Sequence, residues 1–203
     1  MATPTKTPQS LYDNHGNRLY LTGEERAAFL KAATKADHPT RLLCLVLHYS
    51  GCRVSEALAL TPRRVDLSAQ ALRFQCLKKR GRQPVFRDVP VPPMPIDGLD
   101  MLFHIRETQR RGKRSEIDAP LWSWSRVHAW RRVKSVMDKA EIPDGPAKNP
   151  KGLRHSYGVH GVQKKIPLNM LQKWFGHADM KTTAIYANAL GEEESKLAAT
   201  MWE

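Results

Sequence analysis

Cysteines and long apolar segments are scarce in this chain of 203 residues. The three cysteines, Cys44, Cys52 and Cys76, form no CxxC pair and do not suit a disulfide framework. Cys44 and Cys52 lie in apolar stretches, which predicts buried, reduced thiols. No run of about 18 apolar residues could span a bilayer, and the N-terminus lacks the apolar core of a signal peptide. These absences predict a cytoplasmic protein with no membrane span.

Acidic residues are outnumbered as well. The 33 Lys and Arg residues exceed the 20 Asp and Glu residues, which gives a net charge of +13 and an isoelectric point near 9.9. Such an excess predicts a polyanionic partner, with nucleic acid as the first candidate and an anionic membrane surface as the second. The apolar fraction of 41 % and the charged fraction of 26 % are ordinary for a soluble domain, and the length suits one such domain.

The N-terminal half contains clear start and stop signals. Residues 1–20 are polar and rich in proline, glycine and asparagine, which predicts a flexible N-terminal tail. The segment that begins at Thr22 (TGEE) matches a capping box and predicts the first helix. A second helix is expected to begin near Pro39, to carry the apolar LLCLVLHYS, and to end at Gly51.

The remaining pattern predicts one small sheet among helices. Residues 71–77 (ALRFQCL) alternate in polarity, and residues 85–91 (VFRDVPV) follow the basic turn KKRGRQ, which predicts a β-hairpin. Further helices are expected near residues 53–60, 97–111, 125–140, 150–164, 168–175, 180–187 and 192–201. The predicted fold class is therefore mainly α with a small antiparallel β-hairpin, in one domain over residues 21–203.

Three segments that lie far apart in the sequence each hold residues suited to a phosphate. The first is GCRVSE (51–56), the second is KGLRH (151–155), and the third runs from GH (176–177) to TTAIY (182–186). Breaking a phosphodiester builds negative charge around phosphorus. Arginine guanidinium groups are planar and permanently charged, and each can bind two phosphate oxygens. Arg53 and Arg154 are therefore candidates for a phosphate clamp.

Taken singly, these residues also fit structural roles. Arg53 and Glu56 could form an ion pair on a solvated helix face, and Glu56 suits holding an arginine better than catalysis. Tyr186 alone fits a half-buried core aromatic, and His155 fits a packing or supporting position, with a direct catalytic role as the alternative. The functional interpretation therefore depends on the three segments as a set.

In this order and spacing the segments resemble the catalytic domain of the tyrosine recombinase (phage integrase) family. The family's first arginine recurs in G-x-R-x-S-E, its second in L-R-H, and its nucleophilic tyrosine follows a G-H loop. The resemblance covers roughly residues 21–189. The resemblance implies the fold of that catalytic domain and a bacterial, phage or plasmid origin. It also implies a site-specific recombinase that cleaves and rejoins DNA through a covalent 3′-phosphotyrosine on Tyr186, without metal, ATP or another cofactor.

The resemblance also assigns roles to the cationic residues. Arg53 and Arg154 would bind the phosphate, and His177 would donate a hydrogen bond to a non-bridging oxygen. The second segment departs from the family pattern, because Lys151 stands where histidine is usual. A lysine contributes charge at neutral pH but transfers protons less readily than a histidine.

A lysine on the β-hairpin protonates the leaving 5′-oxygen in the family. We assign this role to Lys78, with Lys79 as the alternative, because side chains alternate along a strand and only one of the two should face the phosphate. Lys79, Arg80 and Arg82 are expected to contact DNA.

The partners that the resemblance implies are double-stranded DNA and further copies of the chain. The chain would be monomeric in solution and would assemble on DNA as a homo-oligomer, a tetramer. The helix predicted over residues 192–201 would pack either on a neighbouring protomer or on its own domain. The family's N-terminal core-binding domain is expected to be absent.

Two other functions fit: a non-catalytic DNA-binding or regulatory protein that retains the fold, and a type IB topoisomerase. The small size and the spacing from His177 to Tyr186 favour the recombinase over the topoisomerase.

Overall fold

The computed structural model describes residues 10–76, 84–187 and 201. This part of the chain is mostly helical and holds one three-stranded antiparallel sheet in the order β1-β2-β3. The helices are α1 (Gly23–Ala33), α2 (His38–Ser50), α3 (Val54–Leu58), α4 (Pro93–Phe103), α5 (Ile105–Arg111), α6 (Arg114–Ile117), α7 (Arg126–Lys139), α8 (Pro150–Gln163), α9 (Leu168–Phe175) and α10 (Lys181–Ala184). The strands are β1 (Val65–Asp66), β2 (Ala71–Gln75) and β3 (Phe86–Pro90). The predicted fold class is confirmed.

Polar side chains at the predicted positions cap several helices. Thr22 Oγ1 accepts a hydrogen bond from the Glu25 amide at 3.2 Å, and the Glu25 carboxylate accepts from the Thr22 amide at 2.8 Å, which completes the predicted capping box. Ser125 accepts from the amide of His128 at the start of α7. These caps satisfy amides that have no partner within their own helices.

The apolar helix α2 lies at the centre of the main core and contacts α1, α4, α7 and α8. Gly51 ends it with φ +59°, a conformation that favours glycine. A Cβ atom at this position would also lie 2.5 Å from Cδ1 of Tyr157. Gly51 is therefore required twice, by its backbone angle and by its close contact with α8.

The sheet carries its buried side chains on one face. Leu72 pairs with Val89, and Phe74 pairs with Arg87, and all four are buried. The hairpin is thus confirmed, and its turn, with Lys78, Lys79, Arg80 and Arg82, lies outside the described residues.

Other boundaries differ from the predictions. The predicted helix over residues 97–111 is two helices, α4 and α5, because His104 between them has φ +51°. The short elements β1, α6 and the 3₁₀ turn at Pro62–Arg64 were not predicted. Of the predicted helix over residues 192–201, only residue 201 is described. None of the helices that the structure describes is long and apolar enough to cross a membrane.

The N-terminal tail prediction is wrong for residues 10–20. The Leu11 side chain is 3 % exposed and belongs to a second apolar cluster, formed by Leu11, Val159, Leu171, Phe175 and Tyr186. The backbone turns back on itself between Tyr12 and Arg18, and Arg18 forms an ion pair with Glu25 of α1. The polar composition concealed this packing because one leucine provides most of the buried contact.

Leu11→Ala should lower the free energy of unfolding by about 2–5 kcal/mol, the range for buried leucines, because it leaves a cavity in this apolar cluster. Urea unfolding measures the change. Asn14→Ala, at an exposed position of the same segment, should stay within about 0.5 kcal/mol of wild type. Equal midpoints for Leu11→Ala and wild type would contradict the packing.

Candidate active site

The three predicted segments meet at one cleft of about 920 Å³. Arg53 precedes α3, Lys151 lies in the first turn of α8, and Arg154 lies in its second. His177 follows α9, and Tyr186 follows α10. All five side chains line the cleft, so the fold brings together the candidate residues that it describes. Lys78, the sixth, lies outside the described residues.

Glu56 lies beneath the cleft as a fully buried carboxylate. Its Oε1 accepts from Nη1 of Arg53 at 2.8 Å, and its Oε2 accepts from Nη2 of Arg87 at 2.7 Å. Nη1 of Arg154 lies 4.0 Å from Oε2. Burial alone would raise the pKa of Glu56, but the bond and charge of Arg87, then the backbone amide of Arg53 and the charge of Arg154, hold it below its usual value. Glu56 therefore stays ionised and holds the arginines in place.

Arg87 is the residue that sequence reasoning missed. Its Nε donates to the carbonyl of Trp174 at 2.6 Å, and its guanidinium lies over the ring of Phe74. Burial would lower the pKa of Arg87, yet the bond to Glu56 raises it overall. The available signal was the alternation of β3, which places Arg87 on the same inward face as Val89.

The Arg154 guanidinium is held on three sides. Nη1 donates to the carbonyl of Gly51 at 2.7 Å, Nη2 donates to the carbonyl of Phe175 at 3.0 Å, and the group stacks over the Phe175 ring. Burial, with the charge of Arg53, lowers the pKa of Arg154 to about 10. The group is still charged at neutral pH and is fixed in orientation.

His177 faces Arg154 in this structure, not the open cleft. Its Nε2 lies 3.0 Å from Nη2 of Arg154, and its Nδ1 lies 2.9 Å from Oγ1 of the buried Thr183. A guanidinium can only donate, so Nε2 accepts and Nδ1 carries the proton. Burial and then the charges of Arg154 and Arg53 lower the pKa of His177 to about 3, which keeps the ring neutral. Thr183 was a second residue that sequence reasoning did not assign.

The Tyr186 side chain is 1 % exposed and stacks on Phe175, with ring centroids 5.1 Å apart. Its hydroxyl lies 3.2 Å from Nδ1 of His155. Gly158 permits this packing, because a Cβ there would lie 2.6 Å from the tyrosine ring. Burial raises the pKa of Tyr186 to about 12, and the opposing charges of Arg154 and Arg53 are weaker. The phenol is therefore neutral in this structure.

The rest of the cleft wall mixes basic, aromatic and N-terminal residues. Lys151 is exposed, and Arg126 and Trp130 from α7 lie on the same wall. Part of the segment 10–20 also lines the cleft, through Ser10, Tyr12, Asp13, Asn14 and Leu19. Within the residues that the structure describes, no group of three or more His, Cys, Asp or Glu side chains could hold a metal ion.

Glu56→Gln should destabilise the domain by about 3–5 kcal/mol, because it leaves the buried Arg87 without its countercharge. Denaturant unfolding at neutral pH measures the loss. Asp88→Asn is the matched control: the pair between Arg73 and Asp88 has a similar distance of 2.7 Å, but its side chains are 56 % and 49 % exposed. The control should lose less than about 1 kcal/mol. Equal losses in both variants would contradict the role assigned to Glu56.

Comparisons with known proteins identify the family and the fold. The phage integrase family matches residues 19–193. Tyrosine recombinase XerA of Thermococcus onnurineus (strain NA1) is 26 % identical over 201 residues, covering 95 % of this chain and 64 % of the relative. XerH site-specific recombinase, solved with palindromic difH substrate in a post-cleavage complex, superposes with a TM-score of 0.72 at 23 % identity. The superposition covers 97 % of this chain and 57 % of the XerH chain.

An isolated catalytic domain gives a more complete match. The catalytic domain of bacteriophage HP1 integrase has a TM-score of 0.61 at 20 % identity and covers 88 % of this chain and 93 % of that domain. This chain spans 64 % of the XerA relative's length, so the likeness concerns part of the larger protein. The family match includes all three predicted segments. The chain belongs to the phage integrase family and has the fold of the tyrosine recombinase catalytic domain.

Proposed function

We propose that this chain is a site-specific DNA recombinase or integrase. It cleaves and rejoins double-stranded DNA through a covalent 3′-phosphotyrosine on Tyr186, without metal or ATP. The observation that carries the proposal is the convergence of Arg53, Lys151, Arg154 and His177 with Tyr186 in one cleft. Family membership supports it.

The cationic wall suits a phosphodiester. The Arg53 side chain is 30 % exposed, so part of it remains accessible while Glu56 fixes its position. Arg154 is already oriented by two carbonyl groups. Fixed donors of this kind stabilise the charge that builds on phosphorus without having to reorganise during the reaction.

A phosphate also changes the protonation of the pocket. A phosphate oxygen that reaches Arg154 competes with Nε2 of His177 for the same arginine proton. Its negative charge offsets the arginine charges that lower the pKa of His177, so the pKa of the histidine rises. His177 then carries a proton on Nε2 and donates it to a non-bridging oxygen, the role that the family resemblance implies.

The covalent step conserves the energy of the broken bond. Tyr186 attacks phosphorus, the 5′-oxygen leaves with a proton from Lys78, and the phosphotyrosine holds the 3′ end. Attack by a 5′-hydroxyl on the phosphotyrosine reverses these steps and rejoins the strand. No external energy source is needed, because one phosphodiester replaces another. Lys79, Arg80 and Arg82, in the same basic stretch of the sequence as Lys78, are proposed to contact the DNA backbone.

DNA is the partner that the net charge and the cleft support. The related XerH was solved bound to its difH substrate. We propose that this chain acts as a tetramer on DNA and that residues 191–203 pack on a neighbouring protomer, which would couple the active sites around a ring.

Tyr186→Phe should abolish a covalent protein–DNA adduct that wild type forms, because phenylalanine has no nucleophile. The probe is a pool of labelled duplexes with randomised inverted arms and a nick in the central spacer. Once the strand is cut beside the nick, the short leaving fragment diffuses away and the adduct accumulates. A denaturing gel detects the adduct, and sequencing of the bound DNA identifies the target.

Tyr157→Phe is the control, since Tyr157 also contacts Phe175, in an edge-on arrangement, but lies outside the cleft lining. It should form the adduct at the wild-type rate. An adduct that survives Tyr186→Phe would overturn the mechanism. Salt-sensitive DNA binding without an adduct from wild type would favour the non-catalytic alternative.

Lys78→Ala should slow cleavage by about 10²–10⁴-fold, the range for loss of a general acid. A substrate with a bridging 5′-sulfur at the scissile position should restore the rate, because a thiolate leaves without a proton. Lys79→Ala should have a mild effect with either substrate. Equal losses at the two positions, or no rescue by sulfur, would contradict the choice of Lys78.

A further inference from the structure

His155 gives the Tyr186 hydroxyl its one side-chain hydrogen bond within the described part of the chain. The distance from Nδ1 to Oη is 3.2 Å, and the two ring planes meet at 55°. His155 lies four residues after Lys151 on α8, so the two side chains share a helix face. Both line the cleft beside Tyr186.

The direction of this hydrogen bond follows from counting donors and acceptors. Nε2 of His155 is buried and has no partner among the described residues. If Nδ1 carried the proton, the lone pair of Nε2 and the hydroxyl hydrogen of Tyr186 would both lack partners. If Tyr186 donates to Nδ1, only the N–H of Nε2 lacks one. The hydroxyl proton of Tyr186 therefore points at Nδ1 of His155.

His155 is neutral and so able to accept. Burial, and then the charges of Lys151 and Arg154, lower the pKa of His155 to about 4. A phosphodiester in the cleft would bring a negative charge close to the same cations. That charge offsets their effect, so DNA binding raises the affinity of Nδ1 for a proton at the moment when Tyr186 must lose one.

We propose that His155 positions Tyr186 and takes its proton during attack on the phosphodiester. This inference rests on the proposed function. The O–H bond of Tyr186 breaks as its oxygen bonds to phosphorus, the proton moves to Nδ1, and the P–O5′ bond breaks with the 5′-oxygen protonated by Lys78. Rejoining returns the proton from Nδ1 to Tyr186. His155 thus supplies the imidazole that this chain lacks at position 151.

The test compares His155→Asn with wild type on the nicked duplex pool. The asparagine amide can still accept a hydrogen bond near the position of Nδ1, but it cannot take a proton. We expect unchanged DNA binding and adduct formation at least about 100-fold slower. His160→Asn, five residues further along α8 and outside the cleft lining, is the control and should match wild type.

The pH profile separates proton transfer from a structural role. The titratable and charged groups around His155 are Lys151 and Arg154 on α8, His177 before α10, and Tyr186 after it. Between pH 6 and 9 the His155→Asn rate should rise about tenfold per unit, because only the small phenolate fraction of Tyr186 reacts. The wild-type rate should rise less steeply. A fluorinated tyrosine at position 186 has a more acidic phenol, so it should restore the rate of adduct formation in the His155→Asn variant.

Several outcomes overturn the inference. They are a His155→Asn rate equal to that of wild type, a pH profile parallel to that of wild type, or no rescue by the fluorinated tyrosine. Failure of wild type to form any adduct would count against the proposed function instead. In that case, nitrogen NMR of histidine-labelled full chain still tests the hydrogen bond. It should show the Nε2–H tautomer for His155 and a shifted Nδ1 resonance in Tyr186→Phe, and a protonated Nδ1 refutes the proposal.

Discussion

The buried carboxylate of Glu56 is the contact on which the cleft depends. It lies between Arg53, Arg87 and Arg154, and like charges so close together would repel one another without it. Arg87 is itself anchored to the chain before Gly176 through the carbonyl of Trp174. One carboxylate therefore ties the start of α3 to β3, to α8 and to the end of α9. The elements that carry the catalytic candidates are held together by the same charges that the proposed chemistry uses.

In this structure the cationic groups are in place, but Tyr186, the proposed nucleophile, is protonated. Arg154 donates to His177, and the phenol of Tyr186 is buried, neutral and bonded to His155. Burial outweighs the arginine charges at Tyr186, so those charges alone do not favour its phenolate. The missing component is the negative charge of a phosphate. Its arrival would shift the pKa values of His155 and His177 in the direction that the proposed reaction needs, so DNA itself would switch the pocket on.

How far the sequence predicts the site depends on the kind of signal. Arg53, Arg154, His177 and Tyr186 could be found because short motifs with fixed spacing carry them. Helix starts at Thr22 and Ser125 could be found because capping is local. The alternation of β3 places Arg87 on an inward face, but its role, like that of Thr183, arises from contacts between segments distant in the sequence or from the fold of a loop. Leu11 was missed because composition averages over a segment, whereas burial depends on one side chain and the surface it meets.

The packing of Tyr186 links its chemistry to the N-terminal segment. Leu11, Phe175 and Tyr186 share one apolar cluster, and residues from Ser10 to Leu19 form part of the cleft wall. Any movement of Tyr186 toward a phosphate must exchange contacts with Phe175 and α8 for contacts in the cleft. The lost apolar burial has to be offset by the bonds formed to the phosphate. The segment before α1 is therefore part of the candidate active site, because it lines the cleft and its Leu11 belongs to the same apolar cluster as Tyr186, the proposed nucleophile.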